Sequence, residues 1–355
     1  MRTSRKLTHV LFAVFTLAIM SMAALAADPG TSLPATSQAS DQKQGSLLIY
    51  SHYGSVTSNV SANDTRINIT NTHVTSSVVV HFFFVSQGCS VADFKTELTQ
   101  SQTYSFLVSD FDPDTVGYIM AVAEAEDGLP IAMNFLIGDL FVKSSTGPFS
   151  ANLGAIAFAA QWDGTNNGNS PNESGFWRIP GGDATTPSVN ITFGNATSAV
   201  AGATTGNYNA LPRTLAVDNI PSYAGGDRAL LILLSPVQSF VTGGGSVGTL
   251  FGLLFDDAEQ SQSFQIAGGN CQSTNIISDS YPRTAPRFTT VVPAGRTGWM
   301  KVYKTSDLGI LGSVIVYNIG GRDVNFHGGH NLHHLTLAGS QTATLPVFPF
   351  ELQTN

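Results

Sequence analysis

Apolar residues along this chain fall in short runs rich in Val, Ile, Phe and Tyr, separated by clusters of Gly, Asn, Asp, Pro and Ser. That is the pattern of β-strands broken by turns. Amphipathic helical periodicity is almost absent. Two runs, Val78-Val79-Val80-His81-Phe82-Phe83-Phe84-Val85 and Leu230-Leu231-Ile232-Leu233-Leu234, do not alternate apolar with polar. Such strands are covered on both faces, or face an assembly contact. Turn chemistry recurs at Asp127-Gly128, Asp163-Gly164 and Gly243-Gly244-Gly245. About seven strands per 110 residues is the expectation for a β-sandwich. An outer-membrane barrel would need alternating strands of about ten residues and aromatic girdles. The continuous runs and the ending Thr354-Asn355 count against it.

The runs also repeat. Leu47-Leu48-Ile49-Tyr50 lies beside Leu230-Leu231-Ile232-Leu233, and Arg66-Ile67-Asn68-Ile69-Thr70 beside Leu250-Phe251-Gly252-Leu253-Leu254. Gly88-Cys89 falls on Asn270-Cys271, Phe106 on Phe288, and Gly117-Tyr118 on Gly298-Trp299. Asn134 to Gly138 matches Val316 to Gly320, and Asn152 to Ala159 matches Asn331 to Ala338. The offsets stay between 179 and 184 residues. This predicts an all-β protein of two tandem immunoglobulin-like β-sandwich units related by internal duplication, at 45–160 and 227–345. A Gly/Asn/Thr-rich insertion at 161–226 separates them and holds strand-like runs at Phe176-Trp177-Arg178-Ile179 and Val189-Asn190-Ile191-Thr192-Phe193. Residues 27–44 read as a flexible linker, and 346–355 as a C-terminal tail.

The first residues set the expected compartment. Arg2, Arg5 and Lys6 precede an uncharged apolar stretch from Val10 to Ala24, which ends in Ala24-Leu25-Ala26. That is the layout of a secretory signal peptide over 1–26. The stretch is shorter than the roughly 20 residues needed to span a bilayer. No later segment is long and apolar enough for a transmembrane helix, so a secreted or cell-surface location is expected, with the periplasm as the alternative.

Composition sharpens this. Removal of 1–26 leaves 13 Lys and Arg against 24 Asp and Glu, a net charge of -11. Nucleic acid and anionic membrane are unsuitable partners for such a chain. Charged residues make up 11% of the chain, against roughly 25% in an ordinary soluble domain. Ser, Thr, Asn, Gln and Gly must therefore form the surface, which suits the cell exterior or packing against neighbours.

Candidate chemistry is sparse. Cys89 and Cys271 occupy equivalent places in the aligned copies, and export favours their oxidation. An intramolecular bond requires side-by-side units, because the Cα atoms must come within about 7 Å; an intermolecular bond and two buried thiols remain the alternatives. His327, His330, His333 and His334 form the densest polar cluster and could ligate a transition metal. The aligned stretch of the first copy has no His, and no acid lies between Asn325 and Asn331, so an exposed loop running into a strand is the competing reading. Asp110, Asp112 and Asp114 are candidate Ca²⁺ ligands that lack the Gly and Glu of an EF-hand; no other cofactor is implied. Gly244-Gly245-Ser246-Val247-Gly248 fits a nucleophile elbow in letters only, since a strand follows instead of a helix.

The run from Ser61-Ala62-Asn63-Asp64-Thr65 to Cys89-Ser90-Val91-Ala92-Asp93-Phe94 resembles uncharacterised secreted bacterial proteins with duplicated β-sandwich-like units. So does the closing Gly329-His330-Asn331-Leu332-His333-His334-Leu335-Thr336-Leu337 with Pro346-Val347-Phe348-Pro349. The resemblance implies export and a bacterial source, and no activity.

Two functions follow as expectations. The first is a non-enzymatic structural or assembly subunit of a surface layer or appendage, associating with itself or with other cell-surface proteins. The tail Leu345-Pro346-Val347-Phe348-Pro349-Phe350 is awkward to leave in water and could dock on a neighbour. The second is a carbohydrate- or surface-ligand-binding module using Trp162, Trp177, Tyr208 and Tyr223 as stacking platforms; these aromatics could equally be the insertion's own core. An enzyme is not expected.

Overall fold

The computed structural model describes residues 38–145, 147–161, 176, 178, 187–194, 207–268, 270–320 and 327–351. The expected signal peptide and residues 27–37 lie outside them. Within them the protein is all-β, with one turn of α-helix at Phe288–Val291 and short 3-10 turns.

The first nine strands are β1 (Leu47–Gly54), β2 (Asp64–Asn71), β3 (Val78–Ser86), β4 (Val91–Leu98), β5 (Thr103–Leu107), β6 (Val116–Glu124), β7 (Leu136–Ser144), β8 (Phe149–Gly154) and β9 (Ile156–Phe158). They form a five-stranded sheet of order β4-β3-β6-β1-β9 and a four-stranded sheet of order β5-β2-β7-β8. After β10 (Ala160–Gln161), β11 (Ser188–Phe193) and β12 (Asn207–Tyr208) come nine more. These are β13 (Pro212–Pro221), β14 (Asp227–Leu234), β15 (Leu250–Phe255), β16 (Ser261–Ile266), β17 (Gln272–Ile276), β18 (Thr297–Tyr303), β19 (Leu311–Asn318), β20 (Gly328–Asn331) and β21 (His333–Leu337). Their sheets have the orders β16-β15-β18-β13-β21 and β17-β14-β19-β20. Each strand of the second group thus takes the place of the strand twelve earlier in the first. A fifth sheet, β10-β12-β11-β22, is closed by β22 (Gln341–Pro346).

Equivalence extends to irregularities. β1 bulges between Tyr50 and Tyr53 against β6, and β13 bulges between Val217 and Ile220 against β18. Opposite the bulges sit Gly117 and Gly298. A Cβ on Gly117 would lie 1.9 Å from the Val85 carbonyl oxygen, and one on Gly298 would lie 2.8 Å from that of Phe255. Both positions therefore require glycine.

This registration corrects the alignment read from the sequence. The offset runs from 164 residues, Thr70 against Leu234, to 181, Gly117 against Gly298. Only the Gly117-Tyr118 match is in register; β8–β9 against β20–β21 is right in element and two residues out. β1 answers to β13, not to β14, and Cys89 answers to Glu259, not to Cys271. Cys89 and Glu259 hold the same left-handed place in the β3–β4 and β15–β16 turns, with φ of 73° and 64°. Connections of unequal length shift the offset from strand to strand, so no single period exists to be found.

Other boundaries move as well. The second unit starts at β13, inside the expected 161–226 insertion. Val189 to Phe193 does form a strand, but β11 pairs β22 and β12 in the separate sheet, so the end of the expected 227–345 unit belongs elsewhere. Part of the expected linker is held in place: Ser40 and Ala157 exchange backbone hydrogen bonds at 3.1 and 2.9 Å, and Ala39 is buried. The immunoglobulin comparison fails in pairing. There the first strand lies beside the second, whereas β1 lies between β6 and β9.

The two continuous apolar runs are covered on both faces. Val80, Phe82 and Phe84 of β3 enter the core between the first two sheets. Phe83 and Val85 enter a second core beneath the β10-β12-β11-β22 sheet. In β14, Leu231 and Leu233 face the second unit's own core, while Ile232 packs into the first unit's core with Ile315 and Tyr317.

Candidate functional sites at the junction and on the second unit

Cys89 and Cys271 are joined, with Cα atoms 5.3 Å apart and a sequence separation of 182. The bond ties the β3–β4 turn of one unit to the start of β17 in the other. Beside it the junction is polar. The buried Gln272 amide donates to the Ser51 and Gly117 carbonyls, each at 2.8 Å, the Ser51 and Ser313 hydroxyls meet at 2.9 Å, and the Tyr118 hydroxyl donates to the Ser235 carbonyl.

The histidine cluster sits where β20 turns into β21. An acid absent from the local sequence is supplied by the β13 bulge: Asp218 accepts from His330 Nε2 at 2.9 Å and lies 3.4 Å from His333 Nε2. His334, on the opposite face of β21 from His333, does not join them; burial pushes its imidazole down to about 4, against the raising influence of Asp41. His327 precedes β20. Among the described residues no three His, Cys, Asp or Glu side chains are placed to hold a metal ion together. A groove of about 580 Å³ runs beside the cluster, lined by Asp41, Lys43, Ile156, His330, His333 and His334.

The Asp110, Asp112 and Asp114 candidates diverge. Asp112 accepts the Tyr53 hydroxyl at 2.5 Å, and Asp114 accepts the Thr57 amide at 2.8 Å and its hydroxyl at 2.6 Å. These bonds make an ordered turn, not a shared ligand shell. The proposed stacking platforms fare similarly. Tyr208 is fully buried in the core under the β10-β12-β11-β22 sheet, against Phe193. Tyr223 carries the Arg228 guanidinium over its ring at 3.7 Å. Trp162 and Trp177 lie outside the described residues. The tail is also taken: Phe350 N–H donates to the Glu126 carbonyl, and Lys95 Nζ donates to the Phe348 carbonyl at 2.6 Å while lying over the Phe348 ring.

Lys95 belongs to a buried network that the sequence does not advertise. His81 Nδ1 meets Glu124 at 2.9 Å, His81 Nε2 meets Asp93 at 2.8 Å, and Lys95 Nζ meets Glu124 at 2.6 Å. The hydrogen bond from His81 holds the Asp93 carboxyl below its usual range. His81 sits in an otherwise apolar run, and only cross-strand pairing of β3 with β4 and β6 brings its partners to it. A second feature missed from sequence is a flat aromatic pair: the Phe255 and Trp299 rings stack at 4.3 Å, 5° from parallel, with Trp299 38% exposed.

No family model matches the chain, and no curated protein matches it. Among solved structures it shows 9% identity to a Thermotoga maritima protein designated 1070, over 34% of this chain and 98% of that one, with a TM-score of 0.24. It shows 12% identity to the secreted serine protease VesC of Vibrio cholerae, over 68% of this chain and 43% of that one, with a TM-score of 0.14. It shows 12% identity to an α-L-rhamnosidase of Streptomyces avermitilis, over 91% of this chain and 30% of that one, with a TM-score of 0.18. Likenesses of this size carry no functional argument.

Proposed function

We propose that this chain is an exported, non-enzymatic protein of the cell exterior, a doubled β-sandwich block that presents a surface to other molecules. The observation behind this reading is the seal between the units. The sheet β17-β14-β19-β20 buries side chains on both faces, one against its own unit and one against the other, and the disulfide closes the seam. A joint of that kind opposes the domain closure that two-domain enzymes commonly use. The strand-for-strand correspondence of the units supports duplication as the origin of the block. The tail is held on its own chain by the Phe350 amide and the Phe348 carbonyl, while the Phe348 side chain stays 40% exposed.

The test is fractionation of the producing cell with amino-terminal sequencing and thiol titration. The expected result is a chain outside the cytoplasm that starts at Ala27 and has no free thiol. A cytoplasmic chain with reduced Cys89 and Cys271 would defeat the export part. Hydrolytic activity of the purified protein that vanished in His334→Ala would defeat the non-enzymatic part.

A further inference from the structure

The two five-stranded sheets differ most on their second faces. In the first unit that face is lined by Val85, Phe83, Tyr118, Met120 and Ile49, with Ile156 and Phe158 at the edge. It is buried beneath the β10-β12-β11-β22 sheet, whose Val189, Ile191, Phe193 and Leu345 join the same core. In the second unit, the strand pairings place Phe255, Leu253, Trp299, Lys301 and Ala216 at the equivalent positions. Among the described residues no sheet lies over them, and none of Phe251, Leu253, Phe255, Trp299 and Tyr303 joins any apolar core.

The substitutions between these faces have a direction. On β15 and β18 three positions gain a ring, Val85 becoming Phe255, Val122 Tyr303 and His81 Phe251, while Tyr118 becomes the larger Trp299 and Phe83 becomes Leu253. Other positions turn polar: Met120 becomes Lys301, Leu47 becomes Thr214 and Ile156 becomes His333. On the other flank, Val91 and Asp93 become Ser261 and Ser263, and Lys95 becomes Gln265. The first unit's face packs Val, Ile, Met, Phe and Tyr side chains against a second β-layer. The second unit's face carries instead a strip of rings bordered by hydroxyl, amide and imidazole groups. Lys301 on β18 and Asp218 in the β13 bulge opposite Trp299 carry opposite charges, so the face favours no charged ligand. Phe255 covers one side of the Trp299 indole. Five strands at about 4.8 Å make the sheet roughly 19 Å wide.

We infer that the open face of the β16-β15-β18-β13-β21 sheet binds an uncharged polysaccharide. Sugar rings stack on Trp299 and Tyr303, and hydroxyls bond to the bordering Ser, Gln, Asp and His side chains. Rings supply apolar area with little rotamer entropy to lose. This deepens the surface-protein reading, resting on it only for where the ligand is met; the purified chain tests it separately from export.

The experiment is affinity electrophoresis of residues 27–355, disulfide intact, through gels containing laminarin, amylose, xylan or hydroxyethyl cellulose. Sedimentation in their absence accompanies it. At least one polysaccharide should retard the protein. Trp299→Ala should weaken that retardation roughly 30-fold, the loss typical of a buried aromatic anchor. Trp299→Tyr should restore most of it, and Phe141→Ala, on another sheet, should change nothing. Retardation by none of the four, or equal retardation of Trp299→Ala with unchanged thermal unfolding, would overturn the inference. So would a dimer that Trp299→Ala dissociates, since a second copy would then occupy the face.

Discussion

His52 shows how one side chain sets a pH dependence. It is buried in the β1 bulge, and burial pushes its imidazole down to about 4 from an ordinary 6.5. The folded protein therefore keeps it neutral while the unfolded chain protonates it below about 6.5. Stability from this group is complete above pH 6.5 and is lost as pH falls towards 4, by about 3 kcal/mol. Urea unfolding at pH 7 and pH 4.5 should show the loss, and His52→Gln should remove most of it. Lys95 and Glu124 test the opposite case, a pair charged and buried together. Lys95→Met should cost about 3 kcal/mol by leaving Glu124 short of a partner. Lys95→Met with Glu124→Leu should cost less than the two single changes added. Simple additivity in a double-mutant cycle would show the pair uncoupled. Neither group was marked by its sequence neighbourhood: His81 and Glu124 stand 43 residues apart and meet only across a strand pair.

Strands and turns were the most legible level. Continuous apolar runs at β3 and β14 indicated burial on both faces, and both strands are buried so, because a strand with no polar alternation has no side to offer water. Gly117 and Gly298 were legible as a matched pair, but not the reason for them, which is a carbonyl of the neighbouring strand over each Cα. Gly117→Ala should destabilise by about 2 kcal/mol or more, since the Val85 carbonyl is backbone and cannot rotate away. Gly298→Ala, with its opposing oxygen farther off, should cost less. Equal effects in thermal unfolding would contradict the geometry. Strand pairing, by contrast, was misjudged. β1 and β14 are both apolar and similarly spaced from other runs, yet hydrogen bonding assigns β1 the place of β13.

At the scale of the whole molecule the units are joined by a covalent bond, buried hydrogen bonds and shared apolar packing. Cys89→Ser with Cys271→Ser should lower the unfolding free energy by about 3 kcal/mol without separating the units, because Gln272 and the shared apolar core still join them. A loss of far-ultraviolet strand signal in the double variant at 25 °C would show instead that the bond holds the fold. The sequence by itself determined that the chain is all-β, that its cysteines suit oxidation and that two strands are buried on both faces, because those properties follow from residue type and local spacing. Tertiary structure alone decided which strands correspond, that Cys271 faces a turn and not its own counterpart, that Asp218 reaches the histidines, and that Tyr208 is core while Trp299 stands open. Each of these depends on which strands become neighbours, and connections of unequal length hide that from any fixed period along the chain.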